Sequence, residues 1–143
     1  MSAGTINVLA SFSSNDGLID IASGATFKTN NASLTNNATG IIRGAGTLDL
    51  GYTSSGTPTV YTLRTLTNNG TIDPGYGAGG VGTLTIKGDL IQGTSSTLRI
   101  DLGGTGVGQY DRVVVTGITS PVTKTATAQL AGVLDVAEIN GLS

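Results

Sequence analysis

Cysteine, histidine and tryptophan are all absent from this chain of 143 residues, and phenylalanine occurs only twice. The first two absences exclude disulfide frameworks, thiolate and imidazole metal sites, Ser/His/Asp triads and cysteine nucleophiles. Charge is also scarce, at 11% of residues, with seven Lys plus Arg against nine Asp plus Glu and a net charge of −2. Nucleic-acid binding needs a basic stripe to neutralise phosphates, and this composition does not supply one. No apolar run reaches the roughly 18 residues of a transmembrane helix, and the N-terminus lacks the basic and apolar regions of an export signal. Both ends read as cuts, with Met1 added and the chain stopping in mid-pattern at Asn140-Gly141-Leu142-Ser143.

What is abundant is glycine, 23 residues of it, and short alternating segments. Ile6-Asn7-Val8, Ile19-Asp20-Ile21, Leu48-Asp49-Leu50, Leu84-Thr85-Ile86, Leu98-Arg99-Ile100-Asp101-Leu102, Val113-Val114-Val115 and Leu134-Asp135-Val136 each place two or three apolar side chains on one face. That period of two is the mark of strands with one buried face. No window carries the i, i+3, i+4, i+7 stripe of an amphipathic helix, so helix content should be close to nil.

The spacing of these segments is more informative still. Apolar anchors recur at Leu34, Ile41 and Leu48, at Val60, Leu66 and Ile72, and at Leu84, Leu90 and Leu98. Three such steps make a turn of about 20 residues, the period of a three-sided solenoid coil. The intervening Gly, Asn, Ser and Thr suit tight corners. An internal repeat supports the reading, because Leu34-Thr35-Asn36-Asn37 returns as Leu66-Thr67-Asn68-Asn69, and Gly46-Thr47-Leu48 returns as Gly82-Thr83-Leu84. An antiparallel sandwich is the alternative; it calls for regular hairpin signals and usually some large core aromatics, whereas a narrow bore is filled by aliphatic stacks.

These features predict an all-β fold, a right-handed parallel β-helix of roughly three-sided coils of about 20 residues, forming a single segment over 1–143. Leu48, Leu50, Leu84, Ile86, Leu98, Ile100, Val113 and Val115 should line one continuous bore. Asn36, Asn37, Asn68 and Asn69 should occupy equivalent corners and bond backbone groups of neighbouring coils.

One family resembles this chain. The segments Leu66-Thr67-Asn68-Asn69-Gly70-Thr71-Ile72-Asp73-Pro74-Gly75, Gly82 to Gln92, Ser96 to Gly104 and Gln109 to Gly117 resemble the passenger β-helix of autotransporter adhesins and related large repeat proteins of Gram-negative surfaces. The shared pattern is a Gly-Thr-Leu strand, a Gly-Asp turn, a Ser-x-Leu strand ending in Asp-Leu-Gly-Gly, and a Tyr-Asp loop before a Val-rich strand. It covers residues 66–136, and residues 1–65 fit looser upstream coils. The resemblance implies a surface-exposed rod; no membrane barrel follows in this chain.

Chemistry-bearing residues are few. Asp20, Asp49, Asp101 and Asp135 fall in outward slots between inward aliphatics, where an acidic ladder would suit polysaccharide cleavage and solvated strand positions would suit solubility. The acids are spread singly along the sequence. Gly103 to Asp111 lacks the Asp of a calcium-binding nonapeptide repeat and the following helix of a dinucleotide loop, so it reads as an excursion, with Tyr110 folded on the wall and Asp111 capping the turn into Val113. Asn31, Asn37 and Asn69 head glycosylation sequons. The threonines of Thr123-Lys124-Thr125-Ala126-Thr127 do not repeat on every coil, as an ice-binding face would require.

No catalytic, cofactor-binding or metal-binding residue is assigned on these grounds. The functional expectation is a structural or adhesive segment of a secreted or cell-surface bacterial protein, binding host receptor, matrix, polysaccharide or copies of itself. Ile6, Val8, Leu134 and Val136 at open ends would drive head-to-tail association. The alternatives are a carbohydrate-binding or carbohydrate-active β-helix and a self-assembling extracellular filament subunit.

Overall fold

The computed structural model describes residues 4–77 and 79–141. Every regular element among them is a strand. The first coil holds β1 (Thr5–Asn7), β2 (Ser14–Asn15) and β3 (Leu18–Ile21), and the second β4 (Thr26–Lys28), β5 (Leu34–Asn36) and β6 (Ile41–Gly44). In the third, β7 (Thr47–Asp49) is followed by an inserted pair, β8 (Tyr52–Ser55) and β9 (Val60–Leu63), before β10 (Thr65–Asn68) and β11 (Thr71–Pro74). The fourth holds β12 (Thr83–Lys87), β13 (Asp89–Gln92) and β14 (Thr97–Leu102), and the fifth β15 (Arg112–Thr116), β16 (Ala128–Gln129) and β17 (Val133–Glu138).

Each coil contributes one strand to each of three five-stranded sheets. The first sheet runs β1-β4-β7-β12-β15, the second β2-β5-β10-β13-β16 and the third β3-β6-β11-β14-β17. All neighbours in these sheets are parallel. Parallel strands need a crossover between them, and here each crossover is the rest of a coil. The result is a β-solenoid rather than a sandwich.

The period-two alternation fixes which residues stack inside. In the first sheet the register aligns Ile6, Phe27, Leu48, Ile86 and Val115. In the second it aligns Leu34, Leu66 and Leu90. In the third it aligns Ile19, Ile42, Ile72, Leu98 and Leu134. Leu48, Leu50, Leu84 and Ile86 are completely buried, while Leu98, Ile100, Val113 and Val115 are half-buried, being nearer the open end. Burial of each full aliphatic side chain is worth about 1.5–3 kcal/mol, which makes these stacks the main cohesive element.

Two expected anchors lie elsewhere. Ile41 faces outward in the row of Leu18 and Thr71, and its neighbour Ile42 takes the bore position with no exposure. A one-residue error in a strand reverses every face, and Ile41-Ile42 is a place where two apolar residues adjoin. Val60 is 54% exposed because it belongs to the antiparallel β8–β9 hairpin, which leaves the solenoid between β7 and β10. Tyr52 and Tyr61 pack edge-to-face across that hairpin, ring centroids 5.7 Å apart.

Coil length is not uniform. At the second sheet the successive steps Asn15 to Asn36, Asn36 to Asn68 and Asn68 to Gln92 span 21, 32 and 24 residues. Excursions absorb the extra length while the sheets keep their register. Small residues permit the close stacking of corners: a Cβ on Gly70 would run into the backbone carbonyl oxygens of Gly40 and Asn37 in the coil beneath.

Candidate functional site

Three side-chain ladders run parallel to the solenoid axis, because a parallel stack repeats the same slot every about 4.8 Å. Inside the corner after the second sheet, Asn15 Nδ2 donates to Asn36 Oδ1 at 2.7 Å, Asn36 Nδ2 to Asn68 Oδ1 at 2.7 Å, and Asn68 Nδ2 to Gln92 Oε1 at 2.6 Å. All four amides are buried. The sequence repeat located Asn36 and Asn68; their principal inter-coil partners are other amides rather than backbone. Asn15 and Gln92 were missed, although both precede a corner glycine, Gly17 and Gly93. Asn37 is outside the ladder and donates to Asp16 Oδ1 at 2.8 Å, and Asn69 is half-buried.

On the outer face of the third sheet the register aligns Asp20, Arg43 and Asp73, and pairs Arg99 with Asp135. The charges alternate along one row. Arg43 Nη2 lies 2.8 Å from Asp20 Oδ2, Arg99 Nη1 lies 3.7 Å from Asp73 Oδ2, and Arg99 Nε lies 3.5 Å from Asp135 Oδ2. Three of the four expected outward acids, Asp20, Asp49 and Asp135, are ion-paired strand residues.

Asp101 corrects the expectation. It is completely buried, and with Asp73 and Asp111 it forms a cluster that the sequence spreads over 39 positions of numbering, from 73 to 111. Alternation directs Asp101 outward as expected, but two excursions roof that slot. Gly79 N–H donates to Asp101 Oδ2, Gly82 N–H to Asp111 Oδ1 at 2.7 Å, and the Asp101 N–H to Asp111 Oδ2 at 2.9 Å. Ser23 N–H donates to the Tyr76 hydroxyl at 3.0 Å and ties the first roof to the turn between the first and second coils. Burial pushes the Asp73 carboxyl above the usual carboxylate range, with Arg99 opposing and Asp101 adding to the rise. Burial also raises Asp111, opposed by the backbone N–H groups of Asp101 and Gly82. Asp73 Oδ1 and Asp101 Oδ1 are buried without a hydrogen-bond partner. No group of three acidic residues among the described residues is arranged to hold a metal ion.

The 103–111 excursion behaves as expected of a loop: Leu102 and Tyr110 bridge across it, and Asp111 organises its exit. The Thr123 to Thr127 stretch belongs to the excursion between β15 and β16, where Ile118 bridges Lys124 and Thr127 bonds Asp89. Of the other sequon positions, Asn31 is exposed in a left-handed conformation (φ 56°), its Oδ1 accepting from Tyr52 N–H at 3.4 Å.

An open groove of about 600 Å³ runs along the corner after the first sheet. Every coil contributes to it: Asn7 from the first, Lys28 and Asn31 from the second, Asp49 and Tyr52 from the third, Lys87 from the fourth and Ser120 from the fifth. On its floor the register stacks Asn7, Lys28, Asp49 and Lys87. Lys87 Nζ lies 3.4 Å from Asp49 Oδ2. Sequence reading did not identify this groove, because its residues are separated by whole coils and only the register brings them into line.

No known protein family matches the chain, and neither any curated protein nor any solved structure is significantly similar to it.

Proposed function

We propose that this chain is a structural and adhesive segment of a bacterial surface protein, similar in kind to the passenger β-helix of autotransporter adhesins, and secreted or held at the outer surface. The observation that carries the reading is the division of labour between rod and excursions. Five coils hold one register through all three sheets, while the β8–β9 hairpin and the excursions at 75–77 with 79–82, 103–111 and 117–127 leave it without disturbing the stack. A scaffold of that kind keeps display surfaces at fixed spacing, and loops on a rigid frame are where recognition residues concentrate. Right-handed coiling fits this reading, since parallel crossovers overwhelmingly take that hand.

The alternative, a carbohydrate-active β-helix, draws on the convergence of Asp73, Asp101 and Asp111. Those carboxylates are roofed, and backbone N–H groups occupy several of their oxygens, which suits a loop anchor better than a general acid. We assign the segment no catalytic role. The test is adhesion: beads coated with the purified chain should bind host cells or extracellular matrix above uncoated beads. Equal binding to every surface, or release of reducing sugar from a polysaccharide panel, would overturn the adhesive reading.

A further inference from the structure

We propose that the groove beside the first sheet binds an acidic sugar chain lying along the solenoid axis, a proposal that deepens the adhesive reading and rests on it. The first argument is charge placement. The chain has three lysines, Lys28, Lys87 and Lys124. Two line the groove, and the backbone of the third abuts Gly117 at its fifth-coil end. Of the nine acidic residues only Asp49 lines it, and Asp49 is paired with Lys87. In a chain of net charge −2, a groove with two ammonium groups against one carboxylate is a local reversal of sign, which draws anions.

The second argument is direction and spacing. Lys28 and Lys87 stand two rungs apart with Asp49 between them. At the strand spacing of a sheet that separation is about 9.6 Å, close to one disaccharide of an extended sugar chain. A sugar chain charged on every residue or on every second residue presents one acidic group to each lysine at that interval. An acidic peptide fits less well, because peptides commonly add to a sheet along an open strand edge. The strands here run across the groove, and β4, β7 and β12 are paired on both sides.

The third argument is the chemistry of the walls. Amide and hydroxyl groups of Asn7, Asn30, Asn31, Tyr52, Thr119 and Ser120 line the groove. They supply donors and acceptors for a ligand dense in hydroxyls, and the amphipathic Tyr52 ring supplies a surface with an apolar body and a polar tip. Asn31 already accepts from Tyr52 N–H, which fixes that wall before a ligand arrives.

Titration calorimetry of the full chain with oligogalacturonate, dextran sulfate, neutral dextran and poly-glutamate tests the assignment. At least one acidic sugar should bind, weakening as salt is added, and neutral dextran and poly-glutamate should bind at least about tenfold less tightly. Preference for oligogalacturonate or for dextran sulfate identifies a carboxylated or a sulfated ligand. The K28A/K87A double variant should lose about tenfold or more in affinity, whereas R112A, which removes an exposed charge outside the groove, should not. Unchanged affinity in K28A/K87A, or poly-glutamate binding as tightly as the sugars, would overturn the proposal. If neither acidic sugar binds while chain-coated beads still adhere, the groove assignment fails and the adhesive reading stands.

Discussion

Asn36 and Asn68 are 32 residues apart in sequence, yet Asn36 Nδ2 donates to Asn68 Oδ1 at 2.7 Å in a site with no solvent exposure of either residue. Each amide also serves its own corner: Asn36 Nδ2 reaches the Gly40 carbonyl at 3.0 Å, and Asn68 Oδ1 accepts from Gly70 N–H at 3.2 Å. The ladder therefore closes turns and joins coils with the same atoms. A buried amide is costly unless bonded, so each member depends on the next.

Replacing Asn68 with Ala orphans the Gly70 N–H and the Gln92 Oε1 at once. The expected loss is about 1–3 kcal/mol for each group left unpaired, read as a lower midpoint in urea. Asn37→Ala, which removes only an exposed bond to Asp16, should change stability by less than about 1 kcal/mol. Equal effects of the two substitutions would contradict the ladder.

Glycine positions divide by what a Cβ would meet. Gly70→Ala drives a methyl group into the carbonyls of Gly40 and Asn37, and is expected to abolish soluble, folded protein or cost about 3 kcal/mol or more. Gly17→Ala meets nothing within 4 Å and should stay within about 0.5 kcal/mol of the parent. Thermal unfolding followed by circular dichroism separates the two cases.

The roofed acids set a pH dependence of definite sign. Asp73 and Asp111 have folded values raised above their ordinary 3.8. The folded state therefore binds protons more readily than the unfolded chain. Their contribution to stability is fully present below the ordinary carboxylate value and is lost as pH rises through the raised folded values. Unfolding midpoints should therefore show a component that increases as the solution is acidified from neutral. Asp73→Asn should flatten that component; an unaltered pH profile in this variant would contradict the assignment to Asp73.

Arg99 bridges Asp73 and Asp135 across adjacent coils. Arg99→Met should destabilise the folded state at pH 7, because buried Asp73 loses its nearest counter-charge. The cost should shrink in the Asp73→Asn background, and a double-mutant cycle measures the coupling. Additive effects would show that the pair does not interact.

Head-to-tail association of isolated chains is favoured by exposed apolar side chains on edge strands, Ile6 at 63% and Leu134 at 63% exposed, and opposed by charge. A stack that carries the register of β17 onto β3 brings Asp135 of one copy against Asp20 of the next, breaking the alternation. Any such association should therefore strengthen as salt rises and screens the acids. Light scattering across ionic strength checks this, and association that weakens with salt would exclude the stack.

Particular residues show how far the sequence alone reached. Leu84-Thr85-Ile86 declares its buried face because period-two alternation is local, and the copied Leu-Thr-Asn-Asn run declares a coil because repetition is visible along the chain. Sequence thus determined the all-β character, most of the bore and the equivalence of Asn36 and Asn68. Tertiary structure decided where each coil closes. Hairpins and loops of variable length separate the rungs, so Lys28, Asp49 and Lys87 carry no common interval, and Asp73, Asp101 and Asp111 appear isolated until the excursions fold back. Register is a property of hydrogen-bonded strands, set by packing of the whole stack; a groove or roof built across rungs exists only once that register is fixed.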